Sequence, residues 1–182
     1  MHSASLGEFE QGRPVLEELR KKYPDYKVIL SFFSPSGYEI RKNYPGADHI
    51  IYLPIDNVFN AKKLIAAINP SIVIWVKYEY WFYYLTGLKQ RNIPTVLISG
   101  IFRNNQPFFK WYGGDFRKAL QTYTTIYTQD VYSLRLLKLL KFERGVLAGD
   151  TRFDRVLQIC SSPKKLNEIE QFAKDSFVVV AG

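Results

Sequence analysis

Short runs of β-branched and aromatic residues recur at 27–33, 49–54, 72–76, 94–98, 124–128, 144–149 and 177–182, and segments of helical periodicity lie between most of them. Strand and helix alternating at this spacing predict an α/β fold, a parallel sheet covered by helices on both faces. The run Ile72-Val73-Ile74-Trp75-Val76 has no polar alternation, as expected of a strand buried on both sides. Ligands of such sheets bind outside the carboxyl ends of the strands. The informative polar residues are therefore those that follow a run or open the next helix.

The first of these stretches is His2-Ser3-Ala4-Ser5-Leu6-Gly7-Glu8, where small and hydroxyl residues give way to a helix expected over 8–22. Phe9, Val15, Leu16 and Leu19 mark its apolar face; Pro14 predicts a slight kink or an irregular first turn. Ser5 and Glu8 have the spacing of a capping box. The same junction leaves backbone N–H groups free to face an anionic or hydroxyl-bearing ligand, so a structural and a chemical role both remain open. Because Ser5, Glu8 and their neighbours open a helix, a strand is expected before His2.

Three more positions fit the rim. Lys77-Tyr78-Glu79 follows the 72–76 run and precedes a helix expected over 80–91, where Glu79 would also suit the helix dipole. Ser99 ends the 94–98 run, and Arg152 follows the short strand at 144–149. Helix capping explains each carboxylate singly; it does not predict that Glu8, Glu79, Ser99 and Arg152 share one edge of the sheet.

At 182 residues the chain can hold one full domain with a large core, and 47% hydrophobic content excludes disorder. A net charge of +8 favours an anionic partner. Most of it is local: from Gly87 to Gly145 there are ten basic and three acidic residues. Within that region Phe102, Phe108, Phe109, Trp111, Tyr112 and Phe116 interleave with Arg103, Lys110, Arg117 and Lys118, a mixture suited to a membrane interface, with Phe116 expected in the core. Cys160, the single cysteine, excludes an internal disulfide and is expected to be a buried, inert thiol. No apolar run approaches the roughly 20 residues a membrane span needs. His49 has no His or Cys cluster beside it, so no metal site is assigned.

Read together, Ser5-Leu6-Gly7-Glu8, Tyr78-Glu79-Tyr80-Trp81 and Gly149-Asp150-Thr151-Arg152-Phe153-Asp154 resemble the Kdo (3-deoxy-D-manno-octulosonic acid) transferases of lipopolysaccharide assembly. The resemblance implies the Rossmann-like, N-terminal half of a glycosyltransferase-B architecture: residues 1–158 as acceptor-binding domain, 159–175 as an interdomain linker and helix, and 176–182 as the first strand of a second, nucleotide-sugar domain. It implies inverting transfer of Kdo from CMP-Kdo to a lipid A precursor at the cytoplasmic face of the bacterial inner membrane, with no other cofactor, and an inactive isolated half. Glu8 would be the general base, and Glu79 and Arg152 would stabilise the transition state. Ser5, Gly7, Lys77, Ser99 and Arg103 would bind acceptor, and Lys110, Trp111, Arg117 and Lys118 would face the lipid surface. The chain departs from the family's usual Glu-x-Glu-x-Trp-Pro at Lys77 and Phe82, and from its Gly-Asn-Leu-Lys at Asp150, Thr151 and Arg152. The alternatives are a related glycosyltransferase with another acceptor and a non-catalytic basic module for nucleic acid; no RNA-binding fingerprint supports the latter.

Overall fold

The computed structural model describes residues 1–161, 167–174 and 177–179. Six parallel strands form the sheet: β1 (Ile29–Phe32), β2 (His49–Tyr52), β3 (Val73–Val76), β4 (Thr95–Gly100), β5 (Thr125–Thr128) and β6 (Gly145–Leu147). β1 pairs with β2, and β3 to β6 pair in sequence order. The two parts are joined by residues 1–3. His2 bridges Ser31 on one side and Trp75 on the other, its N–H donating to the Ile74 carbonyl (2.8 Å) and its carbonyl accepting from Val76 N–H (3.2 Å). The strand expected before His2 is therefore His2 and its neighbours themselves, a short extended segment at the centre of the sheet.

Helices cover both faces. α1 (Leu6–Lys22), α2 (Pro35–Arg41) and α7 (Thr151–Ser161) lie on one side, where Phe9 and Leu16 meet Leu30 and Phe32, and Val15 and Leu19 pack on Ile74, Val76 and Ile98. α1 runs unbroken through Pro14. It sits close to the sheet because Gly12 has no side chain; a Cβ there would stand 2.8 Å from Val76 Cγ2. On the other face α3 (Val58–Ile68), α4 (Phe82–Gln90), α5 (Gly114–Leu120) and α6 (Val131–Leu139) enclose a larger core around Trp75, Leu97, Tyr123 and Ile126.

Several expectations are corrected. α5 and the 3-10 turn Pro107–Phe109 fold a region with no helical signal of its own. Phe102 and Phe108 enter the core, but Phe116 is 41% exposed, touching Phe108 edge-on from outside (5.9 Å). Cys160 is exposed, on a helix, α7, whose main packing among the described residues is against α1. The strand expected over 176–182 lies for the most part outside the described residues. The linker expected over 159–175 contains the end of α7 and α8 (Asn167–Ala173). No helix among the described residues is long and apolar enough to cross a membrane.

Candidate active site

The segments that follow β1, β3 and β6 meet the N-terminal half of α1 or the residues that lead into it. Ser5 is the N-cap in extended geometry; its N–H and its hydroxyl both donate to Glu8 Oε2 (3.0 and 3.3 Å), the carboxylate arm of the expected capping box. Gly7 is exposed, and a Cβ there would meet nothing within 4 Å, so the helix mouth is open. A helix N-terminus and the Ser5 bonds both favour ionised Glu8. Yet burial and the neighbouring Glu79 charge raise its pKa above the ordinary 4.5, outweighing Ser5 and Lys77. Glu8, Glu79 and Lys77 thus form one electrostatic group although 71 residues separate the outer two (79 minus 8).

Glu79 has no capping role. α4 begins three residues later, at Phe82, and its free N–H groups are met from another loop: Asp56 accepts from Tyr83 N–H (3.2 Å) and Tyr84 N–H (3.1 Å). Glu79 is instead 3% exposed, its Oε2 accepting from the Trp81 indole N–H and its backbone carbonyl accepting from the Tyr123 hydroxyl. A buried carboxylate released from helix capping is expensive to keep and is characteristic of sites where charge is used.

Lys77 and Ser99 stand at the ends of β3 and β4 with positive φ, 74° and 56°. Neither is glycine, so each holds a left-handed backbone that costs on the order of 1–2 kcal/mol, as residues at working sites often do. Lys77 Nζ lies over the Tyr78 ring at 5.3 Å. Ser99 is buried, its hydroxyl 3.0 Å from that of Thr151, which donates onward to the Gln11 carbonyl of α1 (2.5 Å). Gln11 in turn donates from Nε2 to Asp150 Oδ1 (3.2 Å). Arg152 is exposed and chelated by Asp150, with Nε 2.8 Å and Nη2 2.5 Å from Oδ2. That guanidinium holds the Asp150 carboxyl down at about 2, and Tyr78 lies near enough to act on Arg152. The rim therefore brings Ser5, Gly7, Glu8, Lys77, Glu79, Ser99 and Arg152 to one end of the sheet.

The basic, aromatic residues divide. Arg103 is exposed in the loop after β4. Trp111 is 93% exposed with Tyr112 beside it, and Lys110 and Lys118 are exposed, Lys118 paired with Asp115 (2.8 Å). Arg117 is used internally: its Nη1 donates to the carbonyls of Phe108 (2.8 Å) and Lys110 (3.0 Å), pinning the loop that presents Trp111. Among the described residues no group of three His, Cys, Asp or Glu could hold a metal ion.

Sequence reasoning passed over His2, Gln11, Asp56 and Thr151. Gln11 and His2 are polar residues on faces that otherwise bury apolar ones, the one signal that could have found them; Asp56 and Thr151 act across folds of chain that no local pattern reports.

The profile of the family described as 3-Deoxy-D-manno-octulosonic-acid transferase (kdotransferase) matches residues 1–155. The chain belongs to the Kdo transferase family. Among its curated relatives, the 3-deoxy-D-manno-octulosonic acid transferase of Haemophilus influenzae is 30% identical over 98 residues, 53% of this chain and 23% of that protein. The transferase of Aquifex aeolicus is 30% identical over 100 residues, 54% of this chain and 27% of that protein. The match thus spans about a quarter of those relatives' length. In solved structures the fold recurs in UDP-GlcNAc 2-epimerase from Neisseria meningitidis bound to UDP-GlcNAc (TM-score 0.68, 15% identity, 96% of this chain and 54% of that one). A putative UDP-N-acetylglucosamine 2-epimerase from Listeria monocytogenes aligns with TM-score 0.69 at 12% identity, over 93% of this chain and 50% of that one. This Kdo transferase family member accordingly has the α/β, Rossmann-like fold expected for the first half of a glycosyltransferase-B architecture.

Proposed function

We propose that this chain is the acceptor side of an inverting glycosyltransferase that moves Kdo from CMP-Kdo to a hydroxyl of a lipid A precursor. The observation that carries the reading is the meeting of Glu8 and Glu79 at the open mouth of α1, where burial first and the Glu79 charge second raise the Glu8 pKa although helix geometry alone would lower it. A carboxylate with a raised pKa is a better base, and accepting a hydroxyl proton in the transition state contributes about 100- to 10,000-fold. Glu8 takes the acceptor proton as the acceptor oxygen bonds to the anomeric carbon of Kdo; the bond from that carbon to the CMP phosphate breaks, and CMP leaves with the electron pair. Attack from the face opposite the leaving group inverts the configuration.

Arg152 would meet the phosphate or sugar carboxylate, where a guanidinium gives two parallel charge-assisted bonds. It exchanges Asp150 for the substrate, and the Gln11–Asp150 bond keeps it near the helix mouth meanwhile. Glu79 would face the positive charge developing on the sugar. Lys77 and Arg103 suit the anionic groups of the acceptor, with Ser5, Gly7 and Ser99 shaping its bed. The exposed Trp111, Tyr112, Lys110 and Lys118 suit an anionic bilayer and support a reading in which the domain works at the cytoplasmic face of the inner membrane.

The test is Glu8→Gln in the full-length enzyme, assayed with CMP-Kdo and lipid A precursor. Transfer falls at least about 100-fold with acceptor binding retained. Near-normal turnover would return Glu8 to a capping role. Binding of the wild-type protein to single-stranded RNA in preference to anionic liposomes at moderate salt would favour a nucleic-acid module instead.

A further inference from the structure

Directly behind Glu79 lies a buried imidazole to which nothing above gives a task. His2 is 2% exposed, held in the middle of the sheet by its own backbone bonds to β3 and by those of Met1 and Ser3 to Ser31 of β1. Met1 packs on the α1 side, so strand alternation turns His2 to the opposite face. There its ring meets Trp75 (5.0 Å) and Trp81 (5.9 Å) edge-on. Nδ1 stands 2.9 Å from the Ser31 hydroxyl, which fixes the flip of the ring. Nε2 has no hydrogen-bond partner, and Glu79 Oε2 stands 3.6 Å from it, within ion-pair distance.

The tautomer follows from these neighbours. A lone pair on Nε2 would face a carboxylate oxygen and be repelled, whereas an N–H is attracted, so the proton sits on Nε2 and the Ser31 hydroxyl donates to Nδ1. Two N–H groups, the Trp81 indole and the His2 imidazole, then converge on the same oxygen of Glu79. The other oxygen, Oε1, is engaged by neither. Two donors on one oxygen restrict how the carboxylate can turn, and its charge bears on Glu8.

We propose that His2 is a positioning residue for Glu79: anchored on Ser31, its Nε2–H and the Trp81 indole hold Oε2 so that Oε1 is presented to the reacting sugar beside Glu8. This rests on the transferase reading and assigns His2 no contact with substrate. A hydrocarbon of similar bulk would keep the packing against the two tryptophans and lose the grip; an amide would keep a donor near Nε2.

The experiment compares His2→Leu, His2→Gln, Ser31→Ala and Glu8→Gln in the full-length enzyme, with CMP-Kdo and lipid A precursor as substrates. His2→Leu lowers kcat by up to about 100-fold with KM nearly unchanged, since a displaced charged group affects the transition state and not acceptor binding. His2→Gln restores most of kcat, and Ser31→Ala gives an intermediate loss. In protein labelled with 5-fluorotryptophan, the Trp81 fluorine resonance moves in His2→Leu and returns toward its original position in His2→Gln. Wild-type kcat in His2→Leu, or equal impairment of the Leu and Gln variants, overturns the proposal. If His2→Leu does not fold, Ser31→Ala decides: lower kcat at constant KM supports the role, and wild-type kcat refutes it. An active Glu8→Gln enzyme would return Glu8 to a capping role, whereas no transfer by the wild-type enzyme would sink the transferase reading, and the Trp81 resonance would still judge the grip on Glu79.

Discussion

At the residue scale the site is a set of unfavourable placements kept because their neighbours fix them. Glu8 is harder to ionise in the folded chain than in the unfolded one, through burial first and the Glu79 charge second. The native state therefore holds this proton to higher pH, and stability falls as pH rises from the unfolded value near 4.5 through the folded one. Glu8→Gln removes that loss. It should raise Tm at neutral pH by about 1–3 °C and flatten the pH dependence between pH 4 and 7 by roughly the same amount, measured by scanning calorimetry. Lys77 is a second case. With φ at 74°, Lys77→Gly relieves backbone strain and should stabilise the fold by about 0.5–1 kcal/mol in urea titration, while acceptor affinity drops with the charge. Equal or lower stability would mean that the lysine stem packs well enough to offset the strain.

At the scale of elements, the strand–helix alternation was legible because apolar runs and helical faces carry their periods locally; β3, α3 and α6 start and stop close to where Pro70, Asn57 and Asp130 suggest. The seam was not legible. A three-residue extended segment has no period to read, and its membership of the sheet is set by β1 and β3 on either side. α5, which opens on Gly113 and Gly114, gave no helical signal either; its place is set by the core contacts of Ala119 and Leu120. For the site, the residues that end strands could be named, but Glu79 looked like a helix-opening glutamate because its substitute, Asp56, comes from 23 residues upstream (79 minus 56). Two substitutions test these element-level readings. Asp56→Ala should cost about 1 kcal/mol by unfreezing the start of α4, whereas Glu79→Gln leaves α4 capped and its stability little changed. Gly12→Val should cost about 1–3 kcal/mol, since its side chain would strike Val76 and lift α1 from the sheet.

The whole molecule sets charge and aromatic rings on one segment and carboxylates at the neighbouring rim. The basic surplus between Gly87 and Gly145 surrounds the loop that Arg117 pins, and Trp111 at its tip is almost fully solvated. Trp111→Ala should weaken binding to anionic liposomes about 5- to 10-fold in co-sedimentation, with little change in Tm, because the ring has no core contacts to lose. Arg117→Ala should weaken it too, but with a lower Tm, since it frees the loop itself. The central claim is that Glu8 and Glu79 share one site, and carbon-detected NMR titration of the Glu8 side-chain carboxyl tests it directly. The account predicts a Glu8 pKa above 4.5 that falls toward that value in Glu79→Gln; a Glu8 pKa at or below 4.5, unmoved by that substitution, would contradict it.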